Sequence, residues 1–363
     1  MAIELDNFRA VFGFAQEHNE WLLFGQLAVA LSEFFYIHGL WNEGLEWLKQ
    51  AETELHQRLG EHQGLEDTSE TDEMSFQLTI AELRVALAKF YNERQECETA
   101  RQLCENALQV FRTIGQQLGV VKALNCLGII ARYQKKLEEA DTHFTEALEI
   151  AKVLGDKSHI AFALNNLGLT AYNRRRFEEA KLRYTESLRL ARELGDKQGI
   201  AYALNNLGKT ANQQGLREEA RHHYTESLRL TRDLSTSNAG LPYLLDSLGK
   251  VALRHGKHEE ARHYYTESLA YRKENGNPRE IADSLYQFGQ LVHAEGEFEQ
   301  SLCLFLKVAS IYAEIGAATP FYVDAVNNTI DALAVELGSE KVDRLKLEME
   351  TRTLEEIVNT CLS

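Results

Sequence analysis

Only three prolines interrupt the 363 residues, and runs of β-branched residues are scarce. That pairing excludes a sheet-rich fold and leaves long helices unbroken. Cysteine is sparse as well. Cys97, Cys104, Cys126, Cys303 and Cys361 are odd in number and have no framework spacing. They exclude a disulfide scaffold and read as reduced thiols of a cytosolic protein. No apolar run approaches the roughly 20 residues of a membrane-spanning helix. The opening "MAIELDNFRA" is acidic and lacks the apolar stretch of a signal peptide. The expected location is therefore cytoplasmic. Positive charge is in deficit, with a formal net charge of −16. A surface so acidic repels phosphate backbones, so neither nucleic acid nor a membrane is an expected direct partner.

What the chain does have is repetition. Hydrophobic residues make up 44% of it, enough for a large core. Leu, Ala, Glu, Arg and Gln dominate, and these favour helix. "IAFALNNLG" (Ile160 to Gly168) returns as "IAYALNNLG" (Ile200 to Gly208) forty residues later. The small residues Ala100, Ala140, Ala180, Ala220, Ala261 and Ser301 are spaced 40, 40, 40, 41 and 40. Ala88, Gly128, Gly168, Gly208, Gly249 and Gly289 keep the same spacing. Four residues after each small residue stands Cys104, Phe144, Tyr184, Tyr224, Tyr265 or Phe305, and three further on Ala107, Ala147, Ser187, Ser227, Ser268 or Val308.

This is the pattern of a helical hairpin. Leu-Gly followed by small-x3-aromatic-x2-small resembles the tetratricopeptide repeat. Gly168 and Ala180 are expected where the two helices approach closely, with Tyr184 filling the space beside them. The usual repeat has 34 residues and this one has 40. Arg192 or Arg232 stands where a closing proline is usual, so each second helix is expected to run on through "ARELGD". The expected fold is all-α, a right-handed superhelix (an α-solenoid) of about seven hairpins with a C-terminal helical cap. Residues 1–59 read as a leading helix and a first degenerate hairpin, with Gly44, Leu48 and Ala51 in the repeat positions. Residues 60–75, with "GEHQGLEDTSETDE", read as an acidic loop insertion. Residues 76–318 read as six hairpins and 319–363 as the cap that an open solenoid end needs.

The resemblance also implies which first-helix positions face a ligand. Gly168 is position eight, and positions two, five, six, nine, twelve and thirteen face the groove. They read Lys122, Asn125, Cys126, Ile129, Arg132, Tyr133; then Phe162, Asn165, Asn166, Leu169, Tyr172, Asn173; then Tyr202, Asn205, Asn206, Lys209, Asn212, Gln213. Tyr243, Asp246, Ser247, Lys250, Leu253, Arg254 and Asp283, Tyr286, Gln287, Gln290, His293 follow. An amide side chain donates and accepts at once and can hold a peptide backbone without reading its sequence. Kinesin light chains, which are similar, hold extended peptides with groove asparagines. That role carries over to Asn166 and Asn206 and, by register, to Asn125, Asn165 and Asn205. The alternative is that these asparagines serve local polar needs of their helices. Lys122, Arg132, Lys209, Lys250 and Arg254 outnumber Asp246 and Asp283, which points to an acidic ligand or an acidic segment of the same molecule.

Three catalytic-looking signals carry no site. "ALNNLGKT" (Ala203 to Thr210) nearly spells a phosphate-binding loop but falls mid-helix, where no backbone nest forms. His255, His258 and His263, with His222 and His223 one repeat earlier, are too spread to converge on zinc at about 2 Å. The "YTES" serines recur because the hairpin recurs. No enzyme activity, cofactor or metal is expected.

The ends add a second resemblance. Leu5-Asp6-Asn7-Phe8-Arg9-Ala10, the cluster Phe34, Phe35 and Tyr36, then Gly39 and Gly44 with Trp47-Leu48, resemble the start of the C-terminal repeat region of bacterial STAND-type NTPases. "METRTLEEIVNTCL" (Met349 to Leu362) resembles their tail. Those proteins carry an NB-ARC-like ATPase, and their repeat region senses a trigger or holds the ATPase inactive. The implied role is a sensor that binds a peptide, a protein or the ATPase of its own parent. The other reading is a free-standing intracellular peptide-pheromone receptor or scaffold.

Overall fold

The computed structural model describes residues 2–37, 40–62, 70–234, 240–276, 278–314 and 320–362. Among these residues the chain forms eighteen α-helices and no strand. A leading helix α1 (Ala2–Glu17) precedes seven hairpins. These are α2 (Trp21–Ile37) with α3 (Trp41–His62), α4 (Glu70–Glu93) with α5 (Cys97–Ile114), and α6 (Gln117–Tyr133) with α7 (Leu137–Leu154). Next come α8 (Lys157–Asn173) with α9 (Phe177–Leu194) and α10 (Lys197–Gln213) with α11 (Arg217–Asp233). Last are α12 (Leu241–Arg254) with α13 (His258–Asn275) and α14 (Pro278–Ala294) with α15 (Phe298–Glu314). The cap is α16 (Pro320–Leu337), α17 (Ser339–Thr351) and α18 (Leu354–Leu362).

The helices pack as two compact units, Met1–Ala203 and Leu204–Ser363, divided within α10. In the first unit α3 packs on α4, α5 on α6 and α7 on α8, and likewise α2 on α4, α4 on α6 and α6 on α8. The same rule holds in the second unit, where α11 meets α12, α13 meets α14 and α12 meets α14. Within each unit the hairpins thus stack in register, burying their apolar sides against one another.

The recurring glycine has a local cause. A Cβ on Gly128, Gly168, Gly208 or Gly249 would lie 2.6, 2.7, 2.7 or 2.4 Å from the ring of Phe144, Tyr184, Tyr224 or Tyr265. The aromatic ring of the second helix lies flat on the bare backbone of the first, as the sequence implies. Glycine in a helix costs about 1 kcal/mol, and a fully buried ring offsets it. The fourth position is explained too: Ser187 Oγ donates to Ala161 O at 2.8 Å and Ser268 Oγ to Pro242 O at 3.3 Å. These hydroxyls tie the two helices of a hairpin together.

The second helices end earlier than expected. α7 and α9 stop at Leu154 and Leu194, because Gly155 and Gly195 turn left-handed at φ 68°. Asp156 and Asp196 then cap α8 and α10, accepting from His159 N and Gly199 N at 3.0 and 2.9 Å. "LGDK" is therefore one helix stop and the next helix start. The acidic insertion also differs. Its residues 60–62 belong to α3 and 70–75 to α4, while 63–69, like Gly39, lie outside the described residues.

Candidate functional site

In the first unit four first helices, α2, α4, α6 and α8, line an open-mouthed cavity of about 350 Å³. The register predicted Lys122, Asn125, Cys126, Ile129 and Phe162 on such a face, and all five line it. Val85, Ile129, Ile130, Cys126 and Phe162 give it an apolar body. Three of its polar side chains have a partner. Lys89 Nζ donates to Glu33 Oε2 at 3.3 Å, and Tyr36 Oη donates to Glu93 Oε1 at 2.6 Å. Lys122 Nζ lies 4.0 Å from Glu82 Oε1. Burial first, and then Glu93, push the Tyr36 phenol far above its ordinary value, so it stays a donor. Asn92 accepts weakly from Cys97 Sγ at 3.8 Å. Asn125 is only 5% exposed, and neither its Oδ1 nor its Nδ2 has a hydrogen-bond partner among the described residues.

Sequence reasoning missed Glu33, Tyr36, Val85, Lys89, Asn92, Glu93, Ile130 and His159. Most were legible. Ala88 stands in the glycine position of its hairpin, and the same register then gives Glu82, Val85, Ala86, Lys89, Asn92 and Glu93. Ser32 precedes Gly44 by the twelve residues that separate Gly168 from Ala180. It makes Glu33 and Tyr36 positions nine and twelve. His159 lies outside the register. It enters the wall because Asp156 caps α8 and holds its ring nitrogen Nδ1 at 2.8 Å.

The other asparagines sit low between their neighbours. Asn165, Asn166 and Asn206 are 6%, 5% and 3% exposed, and Asn205 is half-buried. Asn166 Nδ2 donates to Phe162 O in its own helix at 3.0 Å. Arg132 lies over the Tyr133 ring at 5.1 Å, and Tyr172 packs edge-on against Phe177.

In the second unit Lys209 and Asn212 on α10 stand beside Lys250 and Arg254 on α12. Arg254 Nη1 donates to Asn212 Oδ1 at 3.1 Å. Burial, and then the neighbouring Lys250, lower the Lys209 ammonium below its ordinary value. Burial does the same to Lys250, against the pull of Asp246 and Asp283. Neither lysine has an ion pair among the described residues. Asp246 is held by Arg272, with Nη1 to Oδ2 at 2.7 Å, and Asp283 accepts from Tyr312. Lys209, Lys250 and Arg254 thus lie near one another on α10 and α12.

The "ALNNLGKT" segment runs through the middle of α10, so its glycine and lysine form no loop. His255 Nδ1 is 3.9 Å from Glu218, and the His222 and His223 rings are 5.7 Å apart. No group of three or more His, Cys, Asp or Glu converges among the described residues. No helix there is long and apolar enough to cross a membrane.

The model of the tetratricopeptide repeat matches residues 79–153, 119–193, 159–233 and 199–274, which together span more than half of the chain. Comparison with curated proteins finds no match. Among solved structures, the chain is similar to a STAND protein with a tetratricopeptide repeat sensor from Pyrococcus horikoshii. They are 15% identical with a TM-score of 0.52, over 90% of this chain and 44% of that one. It is also similar to the apo quorum sensor NprR of B. thuringiensis, at 16% identity and TM-score 0.54, over 85% and 82% of the two chains. The Rap conjugation gene regulator of plasmid pLS20, solved with the Phr* peptide, aligns over 92% of this chain and 99% of its own at 16% identity and TM-score 0.52. At these identities the likeness is one of fold.

Proposed function

The chain belongs to the tetratricopeptide repeat family, and from that premise we propose that it is a non-enzymatic module that binds a peptide or protein on its first helices. The observation that carries this reading is the cavity of the first unit, walled entirely by first helices and holding an unpartnered buried amide. Asn125, Asn165, Asn166, Asn205 and Asn206 supply donors and acceptors, Tyr172 and Arg132 planar contact surface. Lys209, Asn212, Lys250 and Arg254 favour acidic segments of the ligand. We place the module as the sensing or autoinhibitory region of a STAND-type signalling ATPase. The match of 90% of this chain to 44% of such a protein supports that placement. The partner is then a trigger protein or peptide, or the ATPase domain of the same parent. The near-complete match to a peptide-bound regulator favours a second reading, a free-standing peptide receptor.

Asn166→Ala combined with Asn206→Ala is expected to weaken binding of peptides selected from a random library by about 1–3 kcal/mol, two lost hydrogen bonds. The melting temperature should hardly change, since alanine is the better helix former. Lys209→Glu with Lys250→Glu should weaken acidic peptides further, most at low salt. Calorimetry beside thermal melts checks both. Normal binding with early unfolding would make the asparagines structural.

A further inference from the structure

We propose that the cavity between α2, α4, α6 and α8 binds an organic cation, an ammonium group on an apolar chain or ring, with Glu93 as its counterion. The assignment rests on the reading of this cavity as a binding site and names the chemistry of what enters it.

The charges of the wall are matched except at one residue. Each cation already faces a carboxylate: Lys89 faces Glu33 at 3.3 Å, Lys122 faces Glu82 at 4.0 Å and His159 faces Asp156 at 2.8 Å. Of the two acids that line the cavity, Glu33 has Lys89. Glu93 has no cation within ion-pair distance among the described residues, and its partner is the Tyr36 hydroxyl at 2.6 Å. Other cations nearby in sequence or register are engaged elsewhere. Arg94 pairs with Glu96 at 3.3 Å, and Arg132 lies over the Tyr133 ring at 5.1 Å. One phenol occupies one of the roughly four lone-pair sites of a carboxylate. Glu93 therefore still offers acceptor sites from its half-buried position.

An ammonium brings three donors and no acceptor. Beside Glu93 stands Asn92, whose carbonyl accepts only weakly from Cys97 Sγ at 3.8 Å. Two phenols neighbour the same carboxylate. Tyr36 donates to it, and burial, then Glu93, push the Tyr133 phenol above its ordinary value. Aromatic rings attract a cation through their quadrupole.

The rest of the wall sets the rest of the ligand. Val85, Ile129, Ile130 and Phe162 form an apolar body that an inorganic ion would leave wet. Val85 stands eight residues before Glu93 on α4, about 12 Å along the helix axis. A cation at Glu93 therefore needs an apolar chain or ring reaching toward Val85. About 350 Å³ lies at the small end of the range for ligand pockets. It suits a small amine or a single lysine side chain, not a folded domain surface.

The test is calorimetry of the full chain with hexylamine, phenethylamine, hexanol and hexanoate, beside thermal melts. Both amines should bind and raise the melting temperature. Hexanol and hexanoate should bind about tenfold more weakly or not at all, a gap of 1.4 kcal/mol or more. Glu93→Gln keeps the shape and an acceptor for Tyr36, so it should fold and lose a similar factor in amine affinity. If Glu93→Gln melts early, Ile129→Trp, which fills the cavity from its half-exposed rim, should block the same amines. Nα-acetyl-lysine methylamide separates two sources of the ammonium, and either result supports the assignment. Tighter binding than hexylamine gives the site to a lysine of a peptide, and weaker binding gives it to a free amine. Amine affinity unchanged in both variants would overturn the assignment. So would hexanoate bound in preference to hexylamine and lost with Lys122→Gln. A chain that selects peptides from a random library but binds no amine would overturn only this inference. One that binds amines but selects no peptide would overturn only the proposed function.

Discussion

Asp246→Ala is expected to destabilise the second unit by about 3–5 kcal/mol, the cost of leaving a buried charge unpaired. Arg272 is 2% exposed and is held by Asp246 at 2.7 Å, by Ser284 at 2.5 Å and by the Tyr243 ring at 4.9 Å. Without Asp246 no carboxylate balances the guanidinium in a site closed to water. The pair is peculiar to this hairpin. Arg272 stands where other repeats have Ala151, Ala191 and Thr231, and Asp246 where they have Asn125, Asn165 and Asn205. The repeat thus tolerates an uncharged version. Asp246→Asn together with Arg272→Met, of similar volume, should come within about 1 kcal/mol of the wild type or exceed it. Denaturant melts of the single and double variants decide the matter. A single variant that loses under about 1 kcal/mol would show that Arg272 reaches water.

Gly168→Leu should cost about 3 kcal/mol or more, and Gly168→Ala about 1–3, through overpacking against Tyr184. A Cβ there lies 2.7 Å from Cε1 and 2.8 Å from Cδ1 of a ring that is 1% exposed. The ring has nowhere to move. The gain in helix propensity, about 1 kcal/mol, offsets the clash only in part. The chain contains its own control: where Ala88 replaces the glycine, Cys104 replaces the ring. Tyr184→Cys should therefore relieve Gly168→Ala, giving a favourable coupling in a double-mutant cycle. Gly289 should tolerate alanine best, since its nearest Phe305 atom is 3.1 Å away. Equal costs at both glycines, or none, would contradict the close approach.

The hairpins were legible because their grammar is steric. A missing Cβ, a ring four residues past a small residue, and a forty-residue period leave few other packings. The "LGDK" boundaries were written there as well, since Gly155 and Asp156 are a stop and a start. They went unread because the apolar period alone carries past them. The cavity was half legible. Asn125, Cys126 and Ile129 came from the glycine register, but Lys89 and Tyr36 sit where Ala88 and Ser32 disguise it. Asn125 and Asn166 stand at positions five and six of their hairpins, and the register does not say that Asn166 turns back on Phe162 O while neither polar atom of Asn125 has a partner among the described residues. The Arg272 pair was likewise invisible, because each half lies on a different helix and reads alone as a surface charge.

Hydrogen exchange of the full chain, with and without a peptide selected on it, tests the central claim most directly. The account predicts new protection on the first helices, strongest in α2, α4, α6 and α8 around Asn125, with α5, α7 and α9 unchanged. Protection confined to the second helices, with the first helices exchanging as before, would contradict it.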